Sequence, residues 1–188
     1  MRSLTRAAVL GLVLGTFGLP LPARAAAFIS PWGGVVFGSD QATTGFHTFG
    51  FTFGDAGHGI VGTETTIGLS PGFFGSATEN YVLDLMAGFT FGKTFKSKTD
   101  HDTRPYGLVE GGTIRTRIGA IGNGTDLVRS NIGLAIGGGT TVALNDRLLV
   151  KGELRYIRAF QSHDAANSLN VNLQDFHYWR TEFGIVIH

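Results

Sequence analysis

The segment Thr48-Phe49-Gly50-Phe51-Thr52-Phe53-Gly54 alternates aromatic rings with small side chains. Because successive side chains of a β-strand point to opposite faces, the three phenylalanines share one face and the threonines and glycines share the other. This alternation predicts a strand rather than a helix. The small face decides the fold, since a soluble protein places polar and charged side chains toward water, whereas glycine and threonine are typical of a cramped interior.

The same alternation continues from Ala27 to the end of the sequence and divides it into eight predicted strands. The predicted strands span residues 27–38, 44–54, 58–70, 80–92, 104–117, 131–144, 147–160 and 175–188. The fifth strand is ambiguous because Glu110 shares a face with Tyr106 and Leu108. The all-β class follows from this pattern, and alternation alone also permits a soluble sandwich that buries its apolar face.

The small residues opposite the apolar ones favour a membrane barrel, in which the apolar face contacts lipid and the narrow interior holds small and paired polar residues. We therefore predict an eight-stranded antiparallel up-and-down transmembrane β-barrel. The residues predicted to face lipid are Phe49, Phe51, Phe53, Leu83, Leu85, Phe89, Leu134, Ile136, Leu154, Phe183 and Ile185.

Charged residues of the strands are expected to point inward, because Lys or Arg facing lipid at mid-membrane costs about 2–4 kcal/mol. The predicted interior charges are Glu64, Asp84, Lys151, Glu153, Arg155, Arg180 and Glu182. Since unpaired buried charge is costly, we expect a salt-bridge network that fills the lumen. A register offset of two would place Arg155 opposite Glu182 and Glu153 near Arg180. The alternative is a proton or ion path, or a gated pore.

Most connections between the predicted strands alternate in length, although the connection at 93–103 is longer and the first connection, at 39–43, is shorter than this alternation predicts. The turns Asp55-Ala56-Gly57 and Asn145-Asp146-Arg147 are short, while the connections at 71–79, 118–130 and 161–174 are longer and polar. Outer-membrane barrels show this alternation, with the short turns on the periplasmic side. An even number of strands then places both chain termini in the periplasm.

The N-terminal segment has the order of a secretory signal peptide: a basic start, an apolar run over residues 7–19, and the small-x-small site Ala23-Arg24-Ala25. The run is shorter than the roughly 20 residues that a spanning helix needs, although a retained anchor is the alternative. We predict a cleaved signal peptide at residues 1–25 and one barrel domain at residues 26–188.

Composition excludes several classes of function. A net charge of +1 with 15% charged residues gives no basic surface for nucleic acid. The absence of cysteine removes thiolate metal sites, and the histidines lack metal-ligand spacing, so we expect no metal and no cofactor. His163, Asp164 and Ser168 have side chains that hydrolases use, but no Gly-x-Ser-x-Gly motif accompanies them, which favours a solvated loop.

Short motifs spread over the chain carry a resemblance to a known family. They are Phe28-Ile29-Ser30-Pro31-Trp32-Gly33-Gly34, Gly62-Thr63-Glu64, Ser70-Pro71-Gly72-Phe73-Phe74, Arg104-Pro105-Tyr106, Gly137-Gly138-Gly139, Glu153-Leu154-Arg155-Tyr156 and Trp179-Arg180. In this order they resemble the small outer-membrane β-barrel domain family, the OmpA/OmpX-like group. The resemblance implies an eight-stranded barrel that the outer-membrane assembly machinery inserts.

The expected function is that of an integral protein of the cell outer membrane, without enzymatic activity, in a structural or surface-interaction role. Its expected partners are outer-membrane lipids and the assembly machinery, and the sequence identifies no extracellular partner. The alternatives are a lipid-modifying outer-membrane enzyme, a small-solute pore and a lipocalin-like carrier in the periplasm.

Overall fold

A computed structural model describes residues 27–39, 46–55, 60–74, 80–97, 101–121, 125–160 and 176–188. Within these ranges the chain forms eight antiparallel strands that close into one barrel in sequence order. The strands are β1 (Ala27–Phe37), β2 (Phe46–Asp55), β3 (Val61–Pro71), β4 (Tyr81–Gly92), β5 (Thr103–Ile121), β6 (Thr125–Ala143), β7 (Leu148–Phe160) and β8 (Phe176–Ile187). The predicted all-β, eight-stranded antiparallel barrel is confirmed.

The predicted signal peptide lies outside the described residues. The ranges that the structure describes contain no helix of the length and hydropathy needed to cross a membrane.

The register of the strands defines how far they tilt. A row of paired residues that leaves β1 at Ala27 passes through every strand and returns to β1 at Phe37, ten residues further along. Spread over eight strands, this offset corresponds to roughly 1.25 residues per strand and a tilt of about 40° from the barrel axis.

The hairpin of β5 and β6 differs from the prediction. The polar segment 118–130 was expected to be a loop, but β5 extends to Ile121 and β6 begins at Thr125. The pairing continues through Arg117 with Val128 and Ile118 with Leu127. Two antiparallel strands satisfy each other's backbone hydrogen bonds, so a hairpin can extend beyond the barrel even where its side chains are polar. The other predicted strand boundaries agree within three residues.

The short turn between β6 and β7 forms as predicted. The Asn145 side-chain oxygen accepts hydrogen bonds from the backbone N–H groups of Arg147 and Leu148, at 2.9 and 3.0 Å. An asparagine side chain that bonds to the backbone two residues ahead stabilises a tight turn. Because β1 begins and β8 ends at the same end of the barrel as this turn, that end is called the terminal end and the other the loop end.

Apolar side chains fill the interior toward the loop end. The turn after β3 begins at Gly72, whose backbone φ of 69° is one that L side chains rarely adopt. The following Phe73 is fully buried, with its ring centroid 5.0 Å from that of Tyr178. The buried cluster consists of Val36, Phe73, Val82, Met86, Ile114, Ala135, Ile157, Ala159, Phe176 and Tyr178.

Candidate functional site: the charged layer inside the barrel

A layer of charged side chains crosses the barrel interior below the apolar cluster. Strand β3 supplies one, β4 one, β7 three and β8 two of the charges that the sequence places inside. All of them are at most 5% exposed: Glu64, Asp84, Lys151, Glu153, Arg155, Arg180 and Glu182. The residues of β7 and β8 reach the interior together because they are spaced two apart along their strands.

Arg155 is the centre of this charged layer. Its Nη2 atom lies 2.9 Å from Glu64 Oε1, and its Nε atom lies 3.2 Å from Glu182 Oε1. The guanidinium also donates hydrogen bonds to Glu110 and Glu153. A guanidinium carries five N–H donors in a rigid plane, so one arginine can hold carboxylates that arrive from several strands.

Arg180 forms a second centre on the neighbouring strand. Its Nε atom donates to Glu182 Oε1 at 2.8 Å, and its Nη1 atom donates to Asp84 Oδ1 at 2.6 Å. The guanidinium lies over the Trp32 ring, 4.7 Å from the ring centroid. Glu182 therefore contacts both arginines and joins the two centres into one network.

Lys151 closes the layer toward the terminal end. Its Nζ atom lies 2.8 Å from Glu153 Oε2 and 3.8 Å from Glu64 Oε2. The Tyr106 hydroxyl donates to the same Glu153 carboxylate. Glu153 thus holds Lys151, Arg155 and Tyr106 together, which fixes the spacing between β5 and β7.

The predicted register between β7 and β8 is wrong by two residues. Arg155 lies opposite Arg180, and Glu153 lies opposite Glu182. The expected contact of Arg155 with Glu182 forms nevertheless, as a diagonal contact. Long arginine side chains reach diagonal neighbours, whose separation on a sheet is about 7–8 Å.

The sequence prediction omitted Glu110, which is 1% exposed and accepts hydrogen bonds from two side chains. Arg155 Nη1 donates to one carboxylate oxygen, and Thr66 Oγ1 donates to the other at 3.2 Å. Thr66 also accepts a hydrogen bond from Arg155 Nη1 at 3.1 Å. The sequence already shows that Glu110, Tyr106 and Leu108 share one face of β5. Assigning that face to the interior would have predicted both Glu110 and Tyr106 as interior polar residues.

The residues predicted to face lipid point away from the interior. Most are between 39 and 71% exposed, with Phe183 the highest, and Leu83 is half-buried. These residues are Phe49, Phe51, Phe53, Leu83, Leu85, Phe89, Leu134, Ile136, Leu154, Phe183 and Ile185. The charged layer therefore lies inside the barrel, and the side chains predicted to face lipid lie on its outer surface.

A cavity of about 1000 Å³ opens at the terminal end of the barrel. Phe28, Arg104 and Tyr106 line its wall, and Lys151 and Glu64 belong to both the cavity and the charged layer. Solvent can therefore approach the layer from this end, while the apolar cluster lies between the layer and the loop end.

The chemistry of the described residues is that of ion pairing. Among them, no group of three or more His, Asp or Glu side chains has an arrangement that could hold a metal ion. His163, Asp164 and Ser168, considered above as hydrolase parts, lie outside the described residues.

Comparison with known proteins bears on the fold. No family model and no curated protein matches the sequence. Solved structures of similar fold include Neisserial surface protein A, with a TM-score of 0.65 and 11% sequence identity over 86% of this chain and 96% of that one. The attachment invasion locus protein Ail of Yersinia pestis, in complex with the heparin analogue sucrose octasulfate, has a TM-score of 0.54 and 16% identity over 86% and 96%.

The N-terminal β-barrel domain of Pseudomonas aeruginosa OprF is also similar, with a TM-score of 0.52 and 16% identity over 86% of this chain and 95% of that domain. All three are eight-stranded outer-membrane barrels. The chain thus has the fold of the small outer-membrane barrels, as the resemblance of its motifs implied.

Proposed function

We propose that this chain is an integral outer-membrane barrel that works without catalysis, as a structural or surface-interaction protein. The observation that carries the proposal is the inverted distribution of side chains: Arg155 and Arg180 are fully buried, whereas Phe183 and Leu154 are 71 and 40% exposed. In water this arrangement would be unfavourable twice over, because apolar side chains would stay exposed and charged side chains would lose their hydration. In a bilayer the outward apolar side chains contact lipid, and the charges pair with one another inside the barrel.

The height of the apolar surface supports a membrane location. On β4 the outward side chains run from Tyr81 to Phe91. Ten residues at a rise of about 3.4 Å, tilted by about 40°, span about 26 Å along the barrel axis. Outer-membrane barrels carry an outward apolar band about 25 Å tall, so the surface fits the hydrocarbon layer of such a membrane.

The interior favours a closed barrel over a pore. A solute entering the cavity at the terminal end would meet the ion pairs of Arg155 and Arg180 and then the buried rings of Phe73 and Tyr178. Opening that route would expose unpaired charges at low dielectric, which is costly.

A surface-interaction role is the finer part of the proposal. Neisserial surface protein A is named for the cell surface, and Ail for attachment and invasion. In this chain the extended hairpin of β5 and β6 would stand on the outer side of the membrane, where it could meet surroundings or partners. The ion pairs of the charged layer would then keep the barrel rigid beneath that hairpin.

Two experiments test the proposal: fractionation of the cell membranes, and comparison of the gel mobility of the unboiled and the boiled protein. We expect the protein in the outer-membrane fraction, requiring detergent for extraction, and we expect unboiled samples in mild detergent to migrate differently from boiled ones. Recovery in the soluble fraction without detergent would overturn the membrane location and favour a periplasmic carrier.

Two further measurements separate the alternative functions. Current through planar bilayers containing the folded protein would contradict a closed barrel and favour a small-solute pore. Altered acyl chains in lipopolysaccharide incubated with the protein, detected by mass spectrometry, would contradict a non-enzymatic role and favour a lipid-modifying enzyme.

A further inference from the structure

The cavity at the terminal end stays open because glycines let its lining side chains lie against the wall. A Cβ atom at Gly54 would lie 3.1 Å from the Phe28 ring, and a Cβ atom at Gly139 would lie 2.9 Å from the Tyr106 hydroxyl. Both rings therefore occupy space that a larger residue would need, and the centre of the barrel is left unfilled at this end. The volume of about 1000 Å³ is large enough for a small organic molecule.

Arg104 of β5 lines this cavity and has hydrogen-bond donors that are not used within the part of the chain that the structure describes. Its Nε and Nη2 atoms are shielded from solvent and have no hydrogen-bond partner there. These two atoms form one edge of the guanidinium plane, whose N–H groups point the same way and match the two oxygens of a carboxylate. Because buried donors without partners are unfavourable, an anion in the cavity would satisfy this edge once the long side chain turns toward it.

The neighbouring strands add a hydroxyl and a second cation at the same level. Arg104 pairs with Thr141 of β6, and Thr141 pairs with Lys151 of β7. Strands lie about 4.8 Å apart, so the two cations are about 10 Å apart with the threonine between them. The ammonium group of Lys151 is already paired with Glu153 at 2.8 Å. Arg104 is therefore the cation of this row that is suited to an additional anion.

The carboxylates of the cavity limit the charge of such an anion. Glu64, Asp102 and Asp146 line the same cavity as Arg104. A ligand with two or three negative charges would be repelled by these groups, whereas a single carboxylate can lie against the guanidinium with less repulsion. The cavity thus favours an organic monoanion over inorganic phosphate.

An apolar wall faces Arg104 from the other side of the barrel. Phe28 of β1, Leu149 of β7 and Val186 of β8 line the cavity. In a closed barrel of eight strands in sequence order, β1 lies across from β5, so Phe28 and Arg104 are on opposite sides. A ligand that spans this space would have a carboxylate at one end and an apolar group at the other.

We propose that the cavity at the terminal end binds a small organic monocarboxylate, with its carboxylate on the Nε–Nη2 edge of Arg104 and its apolar part against Phe28, Leu149 and Val186. The proposal goes beyond the proposed function, because a structural or surface-interaction barrel needs no small-molecule site. With both chain termini in the periplasm, as the even strand count predicts, the ligand would enter from that compartment.

The test is a titration of the ¹⁵N-labelled protein, in phosphatidylcholine nanodiscs, with pentanoate. NMR chemical shifts of the Arg104 Nε–H group and of the Thr141 backbone amide report binding. We expect saturable shifts in the millimolar range for the unaltered protein. R104Q should weaken the affinity by about tenfold or more, because two charge-assisted hydrogen bonds are lost. R104K keeps the charge without the planar fork and should have an intermediate affinity.

The matched control is R147Q, which removes an arginine from the exposed turn at the same end and should leave the affinity unchanged. Pentanamide, which is neutral, and inorganic phosphate should both bind more weakly than pentanoate to the unaltered protein. Equal affinity of pentanoate for R104Q, or of pentanamide or phosphate for the unaltered protein, would overturn the proposal. The last two comparisons need no variant, so they decide the question even if R104Q fails to fold. Failure of the unaltered protein to enter nanodiscs would instead contradict the membrane location.

Discussion

Arg155 on β7 and Arg180 on β8 are direct cross-strand partners, and both are fully buried. Like charges in this position repel each other. Each guanidinium instead bonds to a glutamate two residues away on its own strand, Arg155 to Glu153 and Arg180 to Glu182. Because Glu182 also contacts Arg155, a carboxylate lies between the two cations and removes the repulsion.

Replacing Arg155 with Gln should destabilise the barrel strongly. The substitution leaves Glu64, Glu110 and Glu153 facing one another without their shared cation, and breaking a buried ion pair costs about 3–5 kcal/mol. Urea titration of the protein in vesicles would measure the change in the free energy of unfolding. The matched control is Arg147→Gln at an exposed turn position, for which a loss within about 0.5 kcal/mol is expected. Equal midpoints for the two variants would contradict a structural role of the charged layer.

Glu110 and Arg155 should show energetic coupling. If Arg155 is absent, Glu110→Gln removes a repelling charge instead of a bonding partner. The double variant should therefore be more stable than the sum of the two single effects predicts, by about 1–3 kcal/mol. A double-mutant cycle measured in urea gives this number. Glu110→Gln combined with Lys93→Gln should be additive within about 0.5 kcal/mol, because Lys93 is exposed at the terminal end.

The fold class could be predicted because the two faces of most strands differ sharply in composition. In β2 the three rings of Phe49, Phe51 and Phe53 fall on one face, so the orientation of that strand follows from alternation. In β4 the outward face is apolar throughout, although Val82 and Met86 also point into the interior apolar cluster. The interior position of Arg155 and Arg180 was predicted for a related reason, since the outward face of the same strands is apolar.

The composition of the charged layer was less accessible to prediction. On β5 the outward face carries Gly107 and Gly111, so neither face is clearly apolar and Glu110 could not be assigned. The register of β7 and β8 depends on how the whole sheet closes, a long-range property that alternation does not encode. The extended hairpin of β5 and β6 was missed because polar composition indicates solvent contact, which a projecting hairpin and a loop share.

Gly68 should be sensitive to substitution because it adjoins the Arg180 centre. A Cβ atom at this position would lie 2.6 Å from Arg180 Nη1 and 2.6 Å from Asp84 Oδ1. Gly68→Ala would therefore displace the pair between Arg180 and Asp84, at a cost of about 1–3 kcal/mol. Gly33→Ala is the control, since a Cβ there would meet its nearest neighbour at 4.0 Å. The urea midpoints of both variants test this difference, and an unchanged midpoint for Gly68→Ala would show that the pair tolerates displacement.

The solvent that surrounds the barrel can be identified by placing arginine at two exposed leucines. Leu154 is 40% exposed on the outward face of β7, and Leu144 is 53% exposed in the turn at the terminal end. If the outward face contacts hydrocarbon, Leu154→Arg should cost about 2–4 kcal/mol and Leu144→Arg about 0–1 kcal/mol, because the penalty depends on depth. Urea titration in vesicles measures both. In water neither position would penalise a guanidinium, so equally small effects would mean that the apolar band is not facing lipid.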